Sequence, residues 1–142
     1  MWPKIKWIIV VSYWIFLTYG LLSCNPWIHF GGEHRIRPYL NPESWKGSFL
    51  LHAGGYGVLG LLLINAISKK TPVRILGWLI VGMLHGGACE YLQGFIPNRW
   101  THWMDATANC VGLLLSWMVA HVVFEILSSL RKRYGLPLCT QR

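Results

Sequence analysis

The sequence predicts an all-α polytopic membrane protein, and three features carry that prediction. Apolar residues make up 54% of the 142 residues, and charged residues only 13%. Four apolar runs are long enough to cross a bilayer, and polar, proline-bearing stretches separate them. Transmembrane helices are expected at about 7–24, 48–67, 75–96 and 105–130, packed as two helical hairpins in one domain, 1–142. The formal charge of +8 does not indicate a nucleic-acid binder, because the basic residues flank the apolar runs instead of lining one face.

The first run, Trp7 to Leu22, follows Lys4 and Lys6 and spans when its flanking aromatics are counted. Leu21, Leu22, Ser23 and Cys24 loosely resemble a lipoprotein cleavage box. Tyr13, Trp14, Phe16 and Tyr19 make the run heavier in aromatics than a signal core, so a retained helix, uncleaved at Cys24, is the expectation. From Asn25 to Gly47 the chain turns to proline, glycine, histidine and charge, as a loop or interfacial segment does. His29, Glu33 and His34 lie there at a spacing that matches no strong metal pattern, and they are read as solvated.

The second run carries His52 and Tyr56 one turn apart, with Gly54, Gly55, Gly57 and Gly60 offering surfaces for close helix approach. From the residues alone, His52 is read as donating to a neighbouring carbonyl. A basic turn from Lys69 to Arg74 leads into the third run, where Gly82 and Gly86 form a small-xxx-small pair and His85 is read as a packed, hydrogen-bonded histidine. Pro97 and Asn98 break the chain before the last run, which Asp105 opens, a position where the helix dipole favours an acid. His121 and Glu125, four apart near its far end, are read as satisfying each other or reaching Arg131 to Arg133. Cys24, Cys89, Cys110 and Cys139 form no CxxC pair and are read as small packing residues.

Counting basic residues orients the chain. Lys4, Lys6, Lys69, Lys70, Arg74, Arg131, Lys132, Arg133 and Arg142 fall on one side of a four-span arrangement, against Arg35, Arg37, Lys46 and Arg99 on the other. Both termini are expected to be cytoplasmic.

The stretch His85 to Gly112 concentrates the chemistry. Two of the five carboxylates lie in it, and an ionised side chain near mid-bilayer costs roughly 2.5 to 3.5 kcal/mol on insertion scales. Glu90 and Gln93 are three apart, and Asp105 and Asn109 four apart, so each pair shares a helix face. One reading is a polar patch that locks a hairpin.

The series Glu90, Gln93, Pro97, Arg99, Asp105, Asn109 and Gly112 resembles the signature of the VanZ-like membrane proteins. Upstream, His52, Tyr56, Leu59 and Gly60 look like that family's other motif, and the resemblance runs from Trp45 to about Ser116. The acidic-basic pair that often precedes the family's histidine is reduced here to Lys46, with Trp45 before it. The resemblance implies a site made of His52, Tyr56, Glu90, Gln93, Arg99, Asp105 and Asn109. It also implies a role like glycopeptide resistance, since the family takes its name from a protein associated with teicoplanin resistance.

Three functions are weighed. In the first, Arg99 at headgroup depth holds a phosphate or carboxylate in two hydrogen bonds, oriented by Glu90 and Asp105. The ligand is then an anionic lipid, a lipid-linked envelope precursor or a lipoglycopeptide. In the second, Glu90, Asp105 and His52 are the catalytic acid, base or metal-assisting groups of an intramembrane enzyme. No HExxH or other catalytic motif supports it. In the third, the cluster is an internal lock in a structural subunit that meets another copy or another membrane protein. The first is preferred, with no cofactor expected and no metal assigned.

Overall fold

Residues 3–23, 45–68, 71–96 and 101–135 are described by the computed structural model; they form four helices and, among the described residues, no strand. The helices are α1 (Pro3–Leu22), α2 (Trp45–Ala66), α3 (Pro72–Gln93) and α4 (Trp103–Tyr134), and each is long and apolar enough to cross a membrane. The all-α, four-span expectation holds, with shifted ends. α3 begins at Pro72 instead of 75, because proline at the first helical position loses no hydrogen bond, and it ends at Gln93 instead of 96. α4 runs on past 130 to Tyr134, where Gly135 takes a left-handed φ of 60° and its N–H closes on the Arg131 carbonyl. At 1.5 Å per residue α4 is about 48 Å long, more than the hydrocarbon core alone requires.

The contacts fix how the helices run. Lys6 Nζ donates to the Asn65 carbonyl at 3.2 Å and Tyr13 Oη to the Gly55 carbonyl at 3.0 Å, so α1 and α2 are antiparallel. Trp7 packs on Trp78 with ring centroids 5.0 Å apart, and Gln93 reaches Leu21, which makes α1 and α3 parallel. The two hairpins are joined by α2 and α4, which lie parallel and pack most closely of all. Ser48 meets Asp105, His52 meets Asn109, Gly57 meets Gly112 and Gly60 meets Ser116, a nearly constant offset along the chain.

That approach depends on missing side chains. A Cβ at Gly112 would collide with the Ala53 carbonyl, which is backbone and cannot swing aside. On the other flank of α4, a Cβ at Gly86 would come 3.0 Å from Asn109 Cβ and Nδ2, so α3 also leans in at the level of Asn109. The buried residues of α4 (Asp105, Ala108, Asn109, Gly112, Leu113, Ser116) recur every three or four positions, a single face wedged between α2 and α3.

The outer surface is apolar. Ile8 is 63% exposed, Leu84 69% and Phe124 62%, alongside many other large side chains turned away from the core. Contiguous apolar exposure on this scale suits lipid, which gains nothing by expelling it, and not water.

Candidate functional site

One end of the bundle collects the polar residues. The N-terminal turns of α2 and α4 and the C-terminal turns of α1 and α3 meet there, and Ser48, His52, Glu90, Gln93, Asp105 and Asn109 all lie within them. By helical rise, Glu90 is about 5 Å and His52 about 10 Å from the end of its helix. The carboxylates therefore lie well short of mid-bilayer, where their dehydration would cost most. The partial positive charge at the N-terminus of α4 favours Asp105 in its first turn, whereas Glu90 lies near the partially negative C-terminus of α3 and gains no such help.

His52 is the hub. Its Nδ1 lies 3.0 Å from Asn109 Oδ1 and 3.3 Å from Glu90 Oε1, and its Nε2 lies 3.9 Å from Asp105 Oδ2. An amide oxygen only accepts, so Nδ1 carries a proton, while Nε2 faces Asp105. Ser48 Oγ donates to the same Asp105 oxygen at 2.8 Å. His52 and Asp105 are each 7% exposed, Glu90 3% and Asn109 0%. A ring nitrogen of His52 and one oxygen each of Glu90 and Asp105 lie within 4.8 Å of one another. The Asn109 amide nitrogen is buried with no hydrogen-bond partner among the described residues.

Two residues expected at the site are committed elsewhere. Tyr56 is fully buried, and its hydroxyl sits 2.9 Å from His85 Nδ1. Thr18 Oγ1 gives its proton to the Trp14 carbonyl at 2.8 Å, so at 3.0 Å it accepts from His85 Nε2, and Tyr56 donates to Nδ1. Cys89 Sγ completes this second cluster, 3.4 Å from His85 Nε2. His85 is thus the packed, hydrogen-bonded histidine expected of it, tying α1, α2 and α3 together. Gln93, 2% exposed, spends its amide N–H on the Leu21 carbonyl at 3.0 Å, satisfying one of the open acceptors at the end of α1.

Arg99 lies outside the described residues, as do His29, Glu33 and His34, and Cys24 with its neighbouring loop. Ser48 is the site residue that sequence reasoning missed. Its signal was present, since it stands one turn before His52 on the same ridge of α2. At the opposite end of the bundle, His121 stacks on Trp117 with centroids 6.5 Å apart. Both border a groove of about 340 Å³ with Ile64, Ile75 and Phe124, where the lining is mostly apolar.

The assembled site offers an imidazole between two carboxylates, a hydroxyl donor and an amide, all buried near one end of the bundle. Such a set can bind hydroxyls and amides, move a proton, or hold a cation. Comparison of the chain with family models, with curated proteins and with solved structures gives no match in any of the three.

Proposed function

We propose that this chain is a VanZ-like protein of the bacterial inner membrane that binds the polar head of a membrane-embedded envelope molecule, an anionic lipid or lipid-linked precursor. The observation that carries this reading is the convergence of Ser48, His52, Glu90, Asp105 and Asn109 from three helices at one end of the bundle. Headgroups lie at that depth, and buried acceptors and donors of this density fit hydroxyl- and amide-bearing heads. Arg99, next in the chain to this end of α3, is assigned to the anionic group, which a guanidinium grips with two hydrogen bonds.

Both termini are placed in the cytoplasm, with the polar end facing out. The basic residues Lys4, Lys6, Arg74 and Arg131 to Arg133 support this, since they belong to the end of the bundle opposite the cluster. Single-cysteine variants that keep only Cys24 or only Cys139 are then labelled by an impermeant thiol reagent from opposite sides; same-side labelling contradicts the orientation.

The ligand test is a lipid inventory. Protein purified in mild detergent retains an anionic lipid or precursor, detected by native mass spectrometry. Asn109→Asp sets a third carboxylate beside His52, Glu90 and Asp105 and lowers that retention. Equal retention in the wild type and Asn109→Asp, with both folded, removes the site from lipid binding.

A further inference from the structure

We propose that His52, Glu90 and Asp105 together bind one divalent transition-metal ion of the zinc or manganese class, with Asn109 as an outer-sphere group. The inference is independent of which lipid or precursor the chain handles. It starts from geometry: among the described residues this is the group whose nitrogen and two oxygens come within 4.8 Å of one another. Ligands bonded at about 2.1 Å to one tetrahedral ion lie roughly 3.4 Å apart. The 3.9 Å between His52 Nε2 and Asp105 Oδ2 is close to that spacing. Glu90 Oε1 stands 3.3 Å from the other ring nitrogen, so its side chain has to swing towards Nε2 to complete the set.

The chemistry of the donors selects the ion. One imidazole with two carboxylates is a mixed nitrogen and oxygen set, which suits zinc, manganese and iron(II) and lacks the thiolate that softer ions prefer. Charge points the same way. A protonated His52 offsets one of the two carboxylate charges, whereas a divalent ion beside a neutral imidazole offsets both. Three protein ligands leave at least one position open, the arrangement of sites where a metal meets water or a ligand.

The second observation is Asn109. It is 0% exposed and stands against the triad with its Oδ1 on His52 Nδ1, while its Nδ2 has no partner among the described residues. Through Oδ1 it holds the imidazole tautomer that presents Nε2 to the ion, as outer-sphere partners of metal-bound histidines do. Both oxygens of Glu90 are likewise buried at the triad, and an ion that binds Glu90 and carries a water for the Asn109 N–H groups serves both residues. Ser48, donating to Asp105 Oδ2 at 2.8 Å, orients the carboxylate in the same way.

The test uses the full-length, tag-free protein in detergent, stripped with a chelator and titrated with zinc or manganese chloride. The expected result is one ion per chain and a higher melting midpoint in its presence. Asn109→Ala weakens binding by about 10- to 100-fold, the usual cost of losing an outer-sphere partner, and Asp105→Asn by at least as much. A variant with both His29→Ala and His34→Ala binds as the wild type does. Zinc-edge X-ray absorption of the wild type reads one imidazole with oxygen neighbours and does not depend on any variant folding. No uptake by the folded wild type, unchanged affinity in a folded Asp105→Asn variant, or two or more imidazoles on the zinc each overturns the proposal.

Discussion

His52 Nδ1 stands 3.0 Å from Asn109 Oδ1, and the pair joins α2 to α4 at matching levels of two parallel helices. Both side chains are buried, Asn109 completely and His52 all but 7%, so the bond cannot be traded for solvent without cost. Asn109→Ala removes the acceptor while Glu90 Oε1, at 3.3 Å, stays beside the same nitrogen. The expected loss is about 1 to 3 kcal/mol, the range for disrupting a buried hydrogen bond. Unfolding in mixed micelles measures it, and wild-type stability in this variant excludes the pair as a structural contact.

Packing at Gly112 makes the site possible, because it sets how near α4 lies to α2. Gly112→Ala drives a methyl into the Ala53 carbonyl, and the helices must separate at the turn below His52 and Asn109. The expected cost is about 1 to 3 kcal/mol for overpacking. Gly54, on the same helix as Ala53, has nothing within 4 Å of an added Cβ. Gly54→Ala is therefore neutral or slightly stabilising, since alanine favours the helix. Equal effects of the two substitutions count against a close α2 to α4 crossing at Gly112.

Tyr56→Phe separates the two polar clusters. It removes the hydroxyl that donates to His85 Nδ1 at 2.9 Å and leaves His52 and its partners untouched. Stability falls by about 0.5 to 1.5 kcal/mol, or more where the imidazole acceptor goes unsatisfied. Metal affinity and lipid retention stay at wild-type levels. A selective loss of either, without a fall in stability, returns Tyr56 to the ligand site.

The behaviour of Tyr56 shows where sequence reasoning stopped. The four spans were legible because apolar length is a one-dimensional property, and Glu90, Asp105 and Asn109 were legible because polar groups in apolar runs need partners. Which helix each polar residue faces is not one-dimensional. Ser48, His52 and Tyr56 are spaced by four, and each such step advances about 40° around a helix. Over two steps the ridge turns by about 80°, from Asp105 and Asn109 on α4 round to His85 on α3. The parallel pairing of α2 with α4 was equally hidden. Glycines are spread over α2, α3 and α4, and only in three dimensions does Gly112 single out Ala53 and Gly57 as its neighbours.

Ser48 and Asp105 supply the most discriminating measurement, because the strength of their bond reports the charge on the acceptor. Ser48 Oγ donates to Asp105 Oδ2 at 2.8 Å in a setting where Asp105 is 7% exposed. A hydrogen bond to a charged group contributes about 1.5 to 3 kcal/mol, and one between neutral groups about 0.5 to 1.5 kcal/mol. Ser48→Ala is expected to cost the larger amount, since the N-terminal end of α4 favours an ionised acid in its first turn. Asp105→Asn keeps the shape and removes the charge, so Ser48→Ala made in that background should cost no more than the neutral value. The difference between the two costs is the coupling of hydroxyl to charge, and a double-mutant cycle in mixed micelles reads it directly. Saturating zinc draws charge from the carboxylate and shrinks that difference if the ion binds Asp105. A coupling near zero without metal means that Asp105 is not an ionised acceptor, and a coupling that zinc leaves unchanged separates the carboxylate from the metal.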